Sequence, residues 1–191
     1  MRIGVVVVWT ICVMAALISS AVVAPTLSAD QLASAQRSLT NQHGKRFKLE
    51  DLRGKPSVVH FGFTSCAVVC PTMLNGIADY MRKLGERAQR LNFVFVSVDP
   101  ERDTAATLKE YIGHFDGRII GVTGSPSGIA ALADAFGARY EKRAIEGGGY
   151  EVAHVIFAYL LDKSGNKVGT LYMGSESKSD AVMEKLNGLI D

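Results

Sequence analysis

Two apolar runs, SVVHFGF (57–63) and NFVFVSV (92–98), constrain the chain more than any other feature. Both are rich in β-branched and aromatic residues and continuous rather than alternating, the pattern of strands covered on both faces. Between them Met73, Leu74, Ile77, Tyr80, Met81 and Leu84 recur at helical spacing, which predicts an amphipathic helix from Pro71 to about Gln89, with proline at the first helical position. Met73 and Met81 belong to its core stripe. Beyond the second run, TAATLKEYIGHF reads as a helix capped by Asp103 or Thr104, RIIGVTG as a third strand, and SGIAALADAFGA as a helix with Ile129, Leu132, Ala133 and Phe136 on one face. The segment YEVAHVIFAYLLDKSGNKVGTLYM predicts two strands joined by a turn at Ser164 to Asn166, and a last helix runs from about Lys178 to Ile190. Ahead of the first run, LTNQHGKRFKLEDLRGKP reads as a hairpin around His43 and Gly44. Strands alternating with helices, then a hairpin and a closing helix, describe an α/β fold with a mixed central sheet flanked by helices.

The first 27 residues form an apolar leader, uncharged from Ile3 to Ala24 behind Arg2, which suits a signal peptide or a membrane anchor and implies export. A small, polar linker follows over 28–37, and 38–191 is a single domain. Lysine and arginine number 21 against 19 acidic residues with no block of like charge, which argues against nucleic acid as a partner. Of three cysteines, Cys12 lies in the leader and reads as an ordinary apolar residue there, so the domain holds only Cys66 and Cys70.

Those two stand in FGFTSCAVVCPTML, between a central strand and a helix. Cys70 precedes Pro71 and is expected at the helix threshold outside helical geometry, with Cys66 on the preceding loop. The positive end of the helix favours thiolate over thiol there, which promotes nucleophilic attack and metal binding alike. A four-residue spacing also lies within reach of a disulfide, so spacing alone leaves a redox pair, half of a metal site and a staple open. Inert burial is disfavoured because Thr64, Ser65 and Pro71 mark a loop. Two thiolates would favour a soft ion such as Cu(I), and an imidazole as third ligand would let the site also hold Cu(II). Among four histidines, His43 in a turn and His60 within the buried strand read as structural or solvent-facing, and His114 falls at a helix end. His154, at the start of a strand after Gly147 to Gly149, remains open between a ligand and a satisfied core histidine. Asp103 reads as a turn and cap residue, and Asp99, which ends a central strand and is expected near the cysteine loop, reads as shaping the same turn.

Together GFTSCAVVCPTML, VSVDPERDT and HVIFAYLLDKSGN resemble the SCO/SenC group of copper-binding, thioredoxin-like proteins, in the group's order and over about Ser38 to Leu189. The resemblance implies a thioredoxin-like fold and an exported protein, in the bacterial periplasm or anchored in the inner membrane and facing it. It also implies a role in assembling the binuclear copper centre of cytochrome c oxidase, with that enzyme's copper-accepting subunit as partner. By position, Cys66 and Cys70 match the group's thiolate ligands and His154 its histidine ligand, Asp99 matches a supporting or transfer position, and Tyr159 and Asp162 follow the group's pattern. Two departures stand out. Ala67 replaces the usual proline, which should loosen the loop, and Ala153 replaces the usual aspartate, which removes an orienting partner for the imidazole. The rival expectation is a thiol-disulfide reductase acting on exported thiol proteins through Cys66 and Cys70. Against a standard oxidoreductase, the chain has no proline after Pro126, where thioredoxin-like enzymes place one opposite the thiols. A peroxidase of the same broad fold is disfavoured because its motif has different spacing.

Overall fold

A computed structural model describes residues 38–173 and 179–191, so the expected leader (1–27) and linker (28–37) lie outside the described residues. Among those described, no helix is long and apolar enough to cross a membrane.

Among the described residues, eight strands and four α-helices follow in the order β1 (Thr40–Asn41), β2 (Ser57–Gly62), α1 (Val69–Leu84), β3 (Asn92–Ser97), α2 (Ala105–Gly113), β4 (Ile120–Thr123), α3 (Pro126–Phe136), β5 (Tyr140–Ala144), β6 (Tyr150–His154), β7 (Ala158–Leu161), β8 (Lys167–Leu171) and α4 (Ser179–Ile190). Six strands form one mixed sheet in the order β1-β4-β3-β2-β7-β8. The three inner strands β4, β3 and β2 are parallel, and β7 runs antiparallel to β2. Every residue of β2 is buried, as its continuous apolar composition predicts.

Alternation along the strands sorts the core into two layers. Val58, Phe93, Phe95 and Leu160 face α1, α2 and α4, and the methionines Met73 and Met81 are buried in that layer. Val59, Phe61, Val94, Val96, Tyr159 and Leu161 face the other way, onto α3 through Ile129, Leu132 and Phe136. His60 shares its parity with Val58 and Gly62, so it belongs to the layer that packs against α1.

The expected hairpin around His43 and Gly44 is present but short: Thr40 bridges Arg46, the Asn41 N–H donates to the Lys45 carbonyl and the Phe47 N–H to the Leu39 carbonyl, while β1 also pairs with β4 and Leu49–Leu52 is a 3-10 turn. Two expectations need correction. The helix after the cysteines stops at Leu84 because Gly85 takes a φ of +56°, and a 3-10 segment, Gly85–Arg90, finishes the connection. The late segment makes three strands rather than two. Tyr150–His154 pairs with Tyr140–Ala144 in a separate two-stranded ribbon, while Ala158–Leu161 and Lys167–Leu171 join the main sheet. His154 therefore ends a strand instead of starting one.

Candidate metal centre

The loop from Phe63 to Val68 carries the chain from β2, at the carboxyl edge of the parallel strands, into α1, the location where α/β sheets place ligands. Cys66 lies on this loop and is half-buried, while Cys70 is wholly buried. Both are free thiols. Cys70 is the second residue of α1, inside the helix rather than at its threshold, and Pro71 is the third. Proline is tolerated there because the first four helical N–H groups have no partner within the helix, and the non-helical turn falls instead on Val68, at φ −129° and ψ −57°. The Cys70 backbone N–H, one of those orphan donors, points at Cys66 Sγ at 3.3 Å. Gly62 makes room for this arrangement. A Cβ there would stand 2.7 Å from Cys70 Sγ and 2.7 Å from the Phe95 ring.

The ribbon of β5 and β6 delivers His154 over the two sulfurs. Its Nε2 lies 3.5 Å from Cys70 Sγ and 3.8 Å from Cys66 Sγ. Its Nδ1 faces the Val155 carbonyl oxygen at 2.7 Å. A carbonyl only accepts, so Nδ1 carries the proton and the Nε2 lone pair is directed at the sulfurs. The backbone thus orients the imidazole where Ala153 provides no side chain to do so. The Phe63 ring meets it edge-on at 5.5 Å between centroids.

The two thiols divide one proton unequally. The hydrogen bonds from the Cys70 thiol and from its backbone N–H hold Cys66 well below the ordinary thiol range despite its partial burial. The adjoining Cys66 sulfur and burial push Cys70 far up. Cys66 is the thiolate and Cys70 keeps its proton.

Two aspartates behind the loop do different work. Asp103 is fully buried and braces the cysteine loop directly: it accepts from the Thr64 backbone N–H at 2.9 Å, from the Thr64 hydroxyl at 2.6 Å and from the Ser97 hydroxyl at 2.6 Å. The cap of α2 is Thr104, whose hydroxyl accepts from the Thr107 N–H. Asp103 is therefore no cap, and the loop that lacks a proline at Ala67 is held by this carboxylate. Asp99 binds the ribbon. Its buried carboxylate accepts from the Tyr150 hydroxyl at 2.6 Å, pairs with Lys142 at 3.4 Å and pairs with Arg102. Burial opposes its ionisation, but the bonds from Tyr150 and Arg102 outweigh that and hold the carboxyl below its usual range. Arg102 also lies over the Tyr150 ring at 4.2 Å. Asp99 thus anchors the ribbon that carries His154, and its hydrogen bonds among the described residues go to neither sulfur nor imidazole. Tyr159 and Asp162 serve the fold, the former donating to the Gly137 carbonyl and the latter closing the β7–β8 turn.

His43 and His114 are exposed. His60 is the residue that sequence reasoning missed. It is fully buried, and one of its ring nitrogens, Cys70 Sγ and a ring nitrogen of His154 all lie within 4.8 Å of one another. Burial, reinforced by the neighbouring His154, lowers its pKa to about 4, so it is neutral. The signal was available: an imidazole in an otherwise apolar strand, at the parity of Gly62, must face the helix that bears Cys70.

Comparison with known proteins agrees with this geometry. The SCO1/SenC family model matches residues 26–191. An SCO2-like protein of Rickettsia felis is 36% identical over 154 residues, covering 78% of this chain and 73% of its own. The copper-bound structure of Bradyrhizobium japonicum ScoI superposes with a TM-score of 0.74 at 35% identity, over 80% of this chain and 96% of that one. Copper-bound ScoI of Arabidopsis thaliana gives a TM-score of 0.72, also at 35% identity, over 80% and 94%. The thioredoxin-like sheet, the cysteine loop at its carboxyl edge and the family match over nearly all of the domain lead to one assignment: the chain belongs to the SCO1/SenC family.

Proposed function

We propose that the protein is a copper metallochaperone. Cys66, Cys70 and His154 hold one copper ion as cargo and pass it by ligand exchange to the copper-accepting subunit of cytochrome c oxidase. The observation that carries this reading is that one imidazole nitrogen, His154 Nε2, meets both sulfurs, at 3.5 Å from Cys70 and 3.8 Å from Cys66. Sulfur donors suit Cu(I), and the added imidazole extends the set to Cu(II). Cys66 is already a thiolate and is the half-exposed member, so an incoming thiolate meets it first, while Cys70 and His154 hold from behind. The likeness to the copper-bound ScoI structures supports copper as the cargo, and the family resemblance supports both the oxidase as destination and export as the route. Delivery requires no catalysis.

The test is a Cu(I) titration of the reduced protein against a chromophoric chelator. The wild type should take up one equivalent, Cys66→Ala and Cys70→Ala should lose it to the chelator, and His154→Ala should lose Cu(II) more readily than Cu(I). Uptake unaffected by either cysteine substitution would sink the reading.

The reductase alternative draws on one specific observation, the unequal proton. The Cys66 thiolate would attack a partner disulfide and release one partner sulfur as thiolate. Cys70, on losing its proton, would then displace the second partner sulfur and leave a Cys66–Cys70 disulfide. Turnover of a model disulfide by copper-free protein is its signature, and copper uptake without such turnover dismisses it.

A further inference from the structure

His60 has no part in the three-ligand site, yet it is fully buried and one of its ring nitrogens lies within 4.8 Å of both Cys70 Sγ and a ring nitrogen of His154. Its Nδ1 faces the Phe157 carbonyl oxygen at 3.4 Å and must therefore carry the ring proton, since the carbonyl only accepts. That leaves Nε2 as a bare lone pair. Among the described residues Nε2 has no hydrogen-bond partner, although the side chain is wholly excluded from solvent. Leaving such an acceptor unsatisfied is costly, and groups of this kind in native structures call for an explanation.

Placement supplies one. His60 stands two residues before Gly62 on the same face of β2, beneath Cys70, with its ring 6.0 Å from that of His154. Two trios consequently share Cys70 and His154: one is completed at the mouth by Cys66, the other beneath by His60. A Cu(I) ion is satisfied by two sulfurs and one nitrogen, whereas Cu(II) seeks a fourth donor and favours nitrogen.

We propose that His60 is an inner, fourth donor engaged by oxidised copper, so that the site offers two sulfurs and one imidazole to Cu(I) but two sulfurs and two imidazoles to Cu(II). This inference rests on the proposed copper site and adds to it a residue that tunes the preference between oxidation states. Phe95, whose ring lies 6.0 Å from that of His60, closes the inner side with apolar surface and keeps competing water ligands away.

Pulsed electron paramagnetic resonance of the full-length protein loaded with Cu(II) reads the number of coordinated imidazoles directly through their remote ring nitrogens. Two inequivalent imidazole couplings are expected in the wild type and one in His60→Phe. Cu(II) affinity in that variant should fall at least about tenfold, with Cu(I) affinity held within about threefold. A wild type that binds Cu(I) but shows a single imidazole coupling to Cu(II), or takes up no Cu(II), overturns the role of His60 and leaves the proposed function standing. A wild type that takes up no Cu(I) overturns both. The wild-type spectrum decides the question even should His60→Phe fail to fold.

Discussion

Replacing Asp103 should unfasten the cysteine loop, and the structure sets the size of the effect. Its carboxylate accepts three hydrogen bonds of 2.6 to 2.9 Å while fully buried. At about 1.5 kcal/mol each, the low end for a charged acceptor, their loss in Asp103→Ala amounts to about 4.5 kcal/mol. Removing a buried charge offsets part of this, leaving about 3 kcal/mol. Asp103→Asn behaves differently. Its amide oxygen can still accept from the Thr64 N–H and the Ser97 hydroxyl, and its NH2 can donate to the Thr64 oxygen, so only the charge assistance is lost, about 1 kcal/mol. In urea, with a slope of about 2 kcal/mol per molar, the midpoint should fall by about 1.5 M for alanine and about 0.5 M for asparagine. Thr64 stands two residues before Cys66, so Cu(I) affinity should follow the same order. An alanine variant within about 0.3 M of the wild type, or an asparagine variant no better than alanine, would refute the bracing role.

Other outcomes follow from the same geometry. Because the Cys66 pKa is lowered, its thiolate persists below the ordinary thiol range, so its alkylation by iodoacetamide in copper-free protein should stay nearly flat from about pH 8 to 6, where an unperturbed thiol slows about tenfold per unit. Mass spectrometry should place the label on Cys66, with Cys70 protected by burial and its retained proton. Gly62→Ala drives a methyl into Cys70 Sγ and the Phe95 ring, and should cost about 1–3 kcal/mol in urea unfolding while weakening Cu(I) binding. Asp99→Asn should cost about 2 kcal/mol by leaving Arg102 and Lys142 without their buried partner. The folded-state pKa of Asp99 is depressed, so its stabilisation is present above the ordinary carboxylate range and lost as pH falls through the lowered value. The gap in urea midpoint between wild type and Asp99→Asn should therefore narrow on acidification.

The parallel heart of the fold was legible because β2 and β3 are buried on both faces and α1 carries an unambiguous helical stripe. The ribbon of β5 and β6 was not. YEKRA has charged residues at both parities and pairs only with one other strand, so no buried face writes a period into it. The same gap hid the register of His154. Asp99 and Asp103 illustrate a second limit. Both stand in one turn, where local pattern offers turn and cap roles, yet one grips Thr64, 39 residues earlier, and the other grips Tyr150, 51 residues later. Those contacts exist only once β2 and the ribbon converge. His60 was within reach of a period-two argument, since the strand that delivers the cysteine loop aims its even-numbered residues at α1.

Copper K-edge X-ray absorption of the Cu(I)-loaded protein tests the central claim most directly. The account predicts two sulfur scatterers and one imidazole around the metal, with the imidazole shell lost in His154→Ala. A shell of sulfur alone, or one unchanged by that substitution, would contradict it.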